Sequence, residues 1–310
     1  MNDGPGTLTE RDFADLFGEV GALPASCMEM IRSGDFRHRP LDPDEREATI
    51  LSVLDRIDAG EFSEAGPDRI GRWEAGWAEN LATLRAGGGA DALVPRYIRS
   101  GLPVRLRGRY VMPANPEFEL RWYEVFLEWL FRTYITEGRP VYEFGCGSGI
   151  NLARLAGMHP GGRYVGCDWA TSSKEIVDEL GRRNGWDMEG RIFDFFHPDA
   201  SMGIEAGAVV LTIGALEQTG TMWGPFLDHL LRFRPALCVH VEPVVEWYGA
   251  PSLEDYAARR FHRARRYWEG FPAALAGLAD AGRAEIVRMR RSWFGSLLIE
   301  GYSQIVWRPL

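Results

Sequence analysis

Hydrophobic residues recur at two different spacings in the two parts of this 310-residue chain. Over about the first 110 residues they fall three or four positions apart behind helix-start signals, a pattern that predicts helices. One predicted helix begins at a capping box formed by Thr7 and Glu10, and a second begins at Asp42 and Pro43. A third begins near Pro67, so we expect this part of the chain to be helical.

From Pro140 onward, short apolar runs alternate with helical patterns, which predicts a parallel sheet covered by helices on both faces. The predicted strands cover residues 141–144, 163–168, 190–194, 206–213 and 237–242, and β-rich runs follow at 284–289 and 303–308. We therefore divide the chain into a helical N-terminal cap with a lid segment over residues 1–115 and an α/β domain over residues 116–310.

A basic and aromatic segment precedes the α/β domain. Its arginines occur where acids are almost absent, and they are Arg96, Arg99, Arg105, Arg107 and Arg109. One interpretation is a segment across the mouth of a binding site that holds an anionic group, with Arg109 and Tyr110 near the ligand. The other is an exposed edge strand whose arginines pair with surface acids. The sequence favours neither. A long amphipathic helix is predicted to follow Asn115 and Pro116.

The first predicted strand of the α/β domain ends in a glycine turn. Gly145, Gly147 and Gly149 allow the backbone to approach a ligand closely, and the next helix directs its free N–H groups toward that ligand. A dinucleotide fingerprint would have its third glycine at the position of Ile150, so the spacing differs. Glu143, two places before the first glycine, would repel a pyrophosphate but suits a cationic ligand such as a sulfonium with an amino group.

The pattern Glu143-x-Gly145-x-Gly147-x-Gly149 resembles motif I of the class I S-adenosylmethionine-dependent methyltransferases. The resemblance extends from residue 140 to residue 310 and implies S-adenosylmethionine as the cofactor. It also implies a doubly wound, mostly parallel seven-stranded sheet with an antiparallel last strand, to which the N-terminal helical cap is added. In the turn, the residues expected to bind the cofactor are Glu143, Gly145, Cys146, Gly147, Ser148, Gly149 and Asn151.

Acidic residues at the ends of later strands extend this site. Asp168 ends the second predicted strand, where such folds place an acid for ribose hydroxyls. Beside it, Trp169 either covers the adenine or packs on the next helix. The resemblance implies that Asp194 accepts the adenine amino group and that the Phe195 N–H meets a ring nitrogen; the alternative is a turn-starting aspartate. The fourth strand adds Ile213 and Gly214 to the expected cofactor site.

Two glutamates are candidates for the general base, because ligands of such sheets bind beyond the carboxyl ends of the strands. Glu217, after the fourth strand, is the first choice, and Glu242, at the end of the fifth, is the second. Alternatively, Glu217 favours a helix dipole and Glu242 hydrogen-bonds nearby backbone. The residues expected near the acceptor are Arg109, Tyr110, Trp223, His229, Trp247, Tyr248 and His262. No spacing of histidines, cysteines and acids demands a metal.

Composition narrows the class of partner. The net charge of −9 argues against a general nucleic-acid or membrane-surface binder, and no apolar run is long enough to span a membrane. The four scattered cysteines, without a leader-like start, predict buried thiols in a cytoplasmic protein.

We therefore expect a methyltransferase that acts on a small molecule, with oxygen favoured as the methylated atom because carboxylates are available as base. Methylation of nitrogen or carbon is the alternative within this class. A NAD(P)-dependent oxidoreductase and a non-catalytic nucleoside-binding protein are the alternatives in other classes. The sequence leaves a homodimer open.

Overall fold

The computed structural model describes residues 4–89, 93–94, 100–249 and 251–310. Before the α/β domain the helices are α1 (Glu10–Phe17), α2 (Ala25–Ser33), α3 (Pro43–Asp58) and α4 (Ile70–Arg85), and a short 3-10 helix (Pro67–Arg69) precedes α4. The strands of this region are β1 (Gly6–Thr7), β2 (Arg37–Pro40), β3 (Val104–Leu106) and β4 (Arg109–Pro113).

The rest of the chain alternates strand and helix. Its helices are α5 (Phe118–Tyr134), α6 (Ile150–Met158), α7 (Thr171–Asn184), α8 (Gly224–Phe233), α9 (Leu253–Arg265) and α10 (Phe271–Asp280). Its strands are β5 (Val141–Phe144), β6 (Arg163–Asp168), β7 (Asp187–Ile192), β8 (Val209–Ile213), β9 (Leu237–Glu242), β10 (Ala284–Arg290), β11 (Phe294–Gly295) and β12 (Ser303–Pro309). Short 3-10 helices follow β8 (Leu216–Thr219) and β9 (Val245–Trp247).

The central sheet has seven strands in the order β10-β12-β9-β8-β5-β6-β7. Strands β5 to β9 are parallel, and β12 runs antiparallel to both of its neighbours. The predicted mostly parallel, seven-stranded sheet with an antiparallel last strand is therefore confirmed. Because β5 lies between β6 and β8, the strand order reverses at β5, and ligands of such sheets bind beyond the carboxyl ends of the strands at this point, a region that we call the crevice.

A second, five-stranded sheet modifies the expected helical cap. Its order is β1-β2-β4-β3-β11, so the N-terminal region contains strands as well as helices. Strand β11 comes from the loop between β10 and β12 and pairs with β3 through Phe294 and Leu106. The two parts of the chain thus share a sheet, and the division at residue 115 stays a prediction.

The first helix begins two residues later than its predicted capping box. Thr9, not Thr7, is the N-cap, and Asp12 takes the place expected for Glu10: its carboxylate accepts the Thr9 N–H at 2.8 Å. Thr7 is instead paired with β2 in the second sheet. The predicted start at Asp42 is correct, with a capping box to Glu45.

Aromatic packing joins the N-terminal elements to the α/β domain. Trp122 of α5 is 1% exposed, and its ring stacks on Phe294 of β11 at 3.9 Å between centroids. Phe17 of α1 contacts Trp122 edge-on at 5.6 Å and stacks on Trp129 at 4.9 Å. Helix α5 therefore lies between α1 and the second sheet and anchors both.

Within the described part of the chain, no helix is long and apolar enough to cross a membrane. All four cysteines are buried and free of disulfides.

We expect Trp122→Ala to lower the free energy of unfolding by about 3–5 kcal/mol, because it removes the ring that links α1, α5 and β11. Urea denaturation followed by circular dichroism measures the change. Trp293→Ala, at a tryptophan that is 38% exposed, is the matched control and should cost at most about 1 kcal/mol. Equal effects of the two substitutions would contradict this role of Trp122.

Candidate functional site

Three left-handed glycines form the turn between β5 and α6. Gly145, Gly147 and Gly149 have φ angles of 74°, 51° and 70°, which side chains disfavour. Space is restricted as well, because a Cβ atom on Gly145 would lie 2.3 Å from the Cβ atom of Ala215. The Gly145 N–H donates to the carbonyl of Cys167 in β6 at 2.7 Å. The turn therefore has a backbone geometry that only glycine adopts readily.

Asp168, at the end of β6, holds this turn from the adjacent strand. Its Oδ2 accepts the N–H of Gly147 at 3.0 Å, and its Oδ1 accepts the N–H of Ala170 at 2.9 Å. The side chain is buried, and burial raises the pKa of Asp168 to about 6 although these N–H groups favour the ionised form. The acid predicted to bind a ribose thus lies directly beside the glycine turn.

Glu143 is buried at the end of β5, under the same turn. Its Oε1 accepts a hydrogen bond from Asn151 Nδ2 at 2.6 Å, and Asn151 Oδ1 accepts one from the Tyr123 hydroxyl at 2.8 Å. Its Oε2 is buried without a hydrogen-bond partner. Burial, together with the charge of Asp168, raises the pKa of Glu143 to about 8, against the effect of Asn151. The unpaired oxygen is a position for a donor group of a ligand.

Helix α4 covers the glycine turn, an arrangement that the sequence analysis did not predict. The ring of Trp77 lies over Gly147, with its nearest atom 2.7 Å from the position of a Cβ on that glycine. At the start of α7, the N–H of Ser172 donates to Glu74 Oε1 at 3.1 Å. The apolar stripe of α4 was visible in the sequence, but nothing in that stripe indicated which surface it covers.

Ser148, in the glycine turn, donates to the carbonyl of Leu93, which lies before the basic segment, at 2.6 Å. Within the basic segment, Arg107 pairs with Asp12 at 2.8 Å, as the ion-pair interpretation predicts. Arg105 is fully buried and pairs with Asp255 at 3.3 Å and Glu300 at 3.7 Å, so it follows the ion-pair interpretation but not the exposed one. Arg96 and Arg99 lie outside the described residues.

The opposite wall of the crevice is the loop that follows β8. The Gly214 N–H donates to the Val241 carbonyl at 2.9 Å, and a Cβ on Gly214 would meet no atom within 4 Å. The loop therefore leaves open space beside Ile213. The Phe195 ring closes the crevice at one end, 3.5 Å from the position of a Cβ on Gly145.

Asp194 lies two residues beyond β7, not at the end of the strand as predicted. Its Oδ1 accepts the N–H of Phe196 at 2.8 Å, and its Oδ2 lies 3.2 Å from His197 Nδ1. These local contacts are those of a turn-starting aspartate, the alternative interpretation, and leave the adenine role a prediction. Trp169 packs against Phe196, with their ring centroids 5.9 Å apart.

Glu217 and Glu242 form a buried acid pair beyond β8 and β9. Glu242 accepts the N–H groups of Ala215 at 3.1 Å, Leu216 at 3.0 Å and Glu217 at 3.3 Å, which fixes the 3-10 helix. Burial and the charge of Glu217 raise the pKa of Glu242 well above its usual range. Glu217 Oε1 accepts a hydrogen bond from Gln218 at 2.9 Å, whereas its Oε2 is buried without a partner.

Two histidines predicted near the acceptor are packed in the interior. His229 is 5% exposed, and its ring packs edge-on against Phe144 and Phe193, with ring centroids 6.2 and 5.2 Å apart. His262 is buried, and its Nε2 lies 2.8 Å from the carbonyl of Trp268. Burial lowers the pKa of each to about 4, so both imidazoles are neutral near pH 7. Packing accounts for both positions.

The remaining residues predicted near the acceptor contact other parts of the domain. Tyr110 donates to the carbonyl of Leu297 at 3.0 Å, and the Tyr248 hydroxyl accepts the N–H of Glu300 at 2.8 Å. Trp223 donates to the carbonyl of Glu269 at 2.8 Å. The Trp247 carbonyl accepts from Arg291 at 2.8 Å, and Arg109 begins β4. Their acceptor roles stay predictions. No group of three or more metal-binding side chains occurs within the described ranges.

Comparison with known proteins identifies the fold. No family model and no curated protein sequence matches the chain. Among solved structures, the [4+2]-cyclase SpnF matches with a TM-score of 0.51 and 11% identity, over 80% of this chain and 97% of SpnF. The geranyl diphosphate C-methyltransferase of Streptomyces coelicolor A3(2), solved with S-adenosyl-L-homocysteine, matches with a TM-score of 0.49 and 13% identity, over 80% and 100% of the two chains.

The magnesium protoporphyrin IX methyltransferase of Synechocystis PCC 6803, with bound S-adenosylhomocysteine, matches with a TM-score of 0.44 and 14% identity, over 60% of this chain and 81% of that one. Identities this low establish a shared fold and not a shared activity. Together with the strand order, the match to SpnF confirms the expected doubly wound α/β fold.

Glu143→Gln should make the protein more stable at pH 8 and leave its stability at pH 4 nearly unchanged. The folded state keeps the Glu143 proton up to about pH 8, whereas the unfolded chain loses it near its ordinary value of about 4.3. The free energy of unfolding therefore falls as pH rises between these values, and glutamine removes that loss.

At about 1.4 kcal/mol for each pKa unit, the expected gain at pH 8 is at most about 5 kcal/mol. Urea titrations from pH 4 to pH 8 measure it. The control is Glu175→Gln, at a half-buried glutamate of α7 that pairs with Arg85 at 2.9 Å. A pH dependence that is the same in Glu143→Gln and the wild type would rule out a buried, protonated Glu143.

Proposed function

We propose that this chain is an S-adenosylmethionine-dependent methyltransferase of small molecules. The observation that carries the proposal is the pair of buried acids, Glu143 and Asp168, at the ends of adjacent parallel strands on either side of a left-handed glycine turn. An ordinary tight turn does not require carboxyl groups buried beneath it, since burial of such groups is unfavourable unless they are satisfied. A ligand with an ammonium group and a ribose satisfies both.

The residues of the crevice fit this cofactor. Glu143 Oε2 lacks a partner and would accept a hydrogen bond from the cofactor's ammonium group. Each oxygen of Asp168 accepts one N–H and retains a lone pair for a ribose hydroxyl. The crevice has open space beside Gly214, and the Trp77 ring covers it at Gly147. When bound, the cofactor supplies an electrophilic methyl group on a sulfonium.

Glu217 supports methylation of oxygen. Methyl transfer needs the nucleophile held in line with the methyl carbon, and a hydroxyl nucleophile must also lose a proton. Glu217 Oε2 is free to accept that proton, while Glu242 is occupied by backbone N–H groups that position Glu217. We therefore assign the base to Glu217 and a positioning role to Glu242.

Cofactor affinity tests the proposal. We expect S-adenosylhomocysteine to bind the wild type in isothermal titration calorimetry, and Gly147→Val or Asp168→Asn to weaken binding about 10–100-fold, because each removes part of the cradle. Asp187→Asn, at the opposite end of the parallel strands, is the control and should bind normally. Wild-type protein that binds NADH but not S-adenosylhomocysteine would refute the proposal in favour of an oxidoreductase.

The base assignment predicts a loss of turnover without a loss of cofactor binding. Incubation with methyl-labelled S-adenosylmethionine and a panel of phenols, hydroxy acids and amines identifies an acceptor. With that acceptor, Glu217→Gln should lower kcat about 100-fold or more if oxygen is methylated, and S-adenosylhomocysteine should bind as before. Glu269→Gln, at an exposed neighbouring glutamate, should retain full activity. Unchanged kcat in Glu217→Gln would show that Glu217 is not the base.

A further inference from the structure

The proposed base borders a cluster of polar side chains that we call the arginine cluster: Arg69, Glu217, Gln218, Arg265 and Tyr267. Arg265 lies over the Tyr267 ring at 4.9 Å, and its Nη2 lies 3.5 Å from Gln218 Oε1. The Gln218 amide in turn donates to Glu217. The cluster thus brings together the 3-10 helix after β8, the start of α4 and the end of α9.

The backbone fixes Glu217 within this cluster. The N–H of Trp268, just after α9, donates to the Glu217 carbonyl at 2.9 Å. The Trp268 carbonyl contacts His262 Nε2, and Arg265 Nη1 donates to the carbonyl of Ser63. The end of α9 is therefore held on both sides, so the guanidinium of Arg265 has a defined position beside the acid.

Several charged atoms of the cluster have no partner in the protein. Arg69 Nε and Nη1, Arg265 Nε and Glu217 Oε2 are all buried and make no hydrogen bond. Arg265 is 8% exposed and Glu217 is 6% exposed. An unsatisfied buried donor costs about 1–3 kcal/mol, and more when it is charged. Such a concentration of unsatisfied groups at one place indicates that a ligand satisfies them.

The charges of the cluster define the sign of that ligand. Two guanidinium groups lie near one carboxylate, so the cluster carries excess positive charge. Burial and the neighbouring charge of Arg265 lower the pKa of Arg69 to about 10, which still leaves Arg69 protonated at pH 7. Mutual repulsion of two buried cations is relieved by an anion that contacts both.

The cluster is connected to the glycine turn through two stacked tryptophans. The Arg69 guanidinium lies over the Trp73 ring at 5.2 Å, and Trp73 stacks on Trp77 at 5.7 Å between centroids. Trp77 covers Gly147. A molecule held by Arg69 and Arg265 therefore lies on the side of Glu217 that faces α4, the same helix that covers the proposed cofactor.

We infer that Arg69 and Arg265 bind an anionic oxygen group of the methyl acceptor, a carboxylate or a phosphate, beside Glu217. A planar guanidinium fork matches the geometry of both groups, and two forks from different elements also set the orientation of the ligand. The acceptor class is therefore a small anionic molecule. Calling this molecule the acceptor rests on the proposed function, whereas the anion site itself does not.

Simple anions test the site in the full-length protein. Benzoate and phenyl phosphate serve as probes of the two groups, and benzamide is the neutral isostere; ligand-observed NMR titration gives each Kd. We expect benzoate or phenyl phosphate to bind, whichever group the site takes, and benzamide to bind at least tenfold more weakly. Arg69→Gln and Arg265→Gln should each raise the Kd of the anion tenfold or more. Arg69→Lys should recover part of the lost affinity because it keeps the charge.

Controls separate this inference from the proposed function. Arg72→Gln removes an exposed arginine that lies one turn along from Arg69 and donates to Ser63, and it should not affect the anion. Thermal melting shows whether Arg265→Gln folds. If it does not fold, Arg69→Gln still tests the site, because Arg69 Nε and Nη1 make no hydrogen bond in the protein. If neither benzoate nor phenyl phosphate binds more tightly than benzamide, or if anion binding is unchanged in Arg69→Gln, the inference is overturned. Anion binding without S-adenosylhomocysteine binding supports the site and refutes the methyltransferase proposal.

Discussion

The site depends on keeping two carboxyl groups, Glu143 and Asp168, out of water under one glycine turn. Each ends a parallel strand, and each is held by a specific donor: Asn151 for Glu143, and the N–H of Gly147 for Asp168. Burial raises the pKa of both, to about 8 and about 6. Since isolated buried carboxylates are strongly disfavoured, the surrounding structure must supply donors, and it supplies fewer than the two groups can accept. The deficit is what a cationic, hydroxylated ligand would fill.

The N-terminal region contributes directly to this environment. Trp77 covers Gly147, and Glu74 binds the first turn of α7 while its charge adds to the raised pKa of Asp168. The region is itself attached to the α/β domain through Phe17 of α1, which contacts Trp122 and Trp129 of α5. Helix α4 itself packs on α7, and its Trp77 ring adds to the burial of the glycine turn beside the two acids.

The elements with a strong periodic signal were predicted well, and those that depend on distant contacts were not. Strand β9 was predicted over residues 237–242 and has the same bounds in the structure. The prediction was accurate because a strand buried on both faces is a continuous apolar run. The helix start at Asp42 was correct because its cap is local. The start near Thr7 was wrong because pairing with β2, some 30 residues later, engages Thr7.

The same distinction applies to the site. The glycine turn and Asp168 carry a local pattern, so the sequence placed them together. The roles of Trp77 and Arg69 arise only when α4 packs on α7, and no local pattern in α4 distinguishes a cover from an ordinary apolar stripe. Arg105 lies in a basic segment that suggested an exposed side chain, yet it is fully buried against Asp255 and Glu300. Both acids lie 150 or more residues later in the chain, and no sequence pattern connects them to Arg105.

The two ends of the crevice differ in charge. The end at the glycine turn has buried acids and favours a cation, whereas the end at Arg69 and Arg265 has excess positive charge and favours an anion. Glu217 lies at the anion end, and its Oε2 is buried without a hydrogen-bond partner in the protein. In the proposed reaction, opposite charges at the two ends would orient a cationic donor and an anionic acceptor toward each other, as in-line transfer requires.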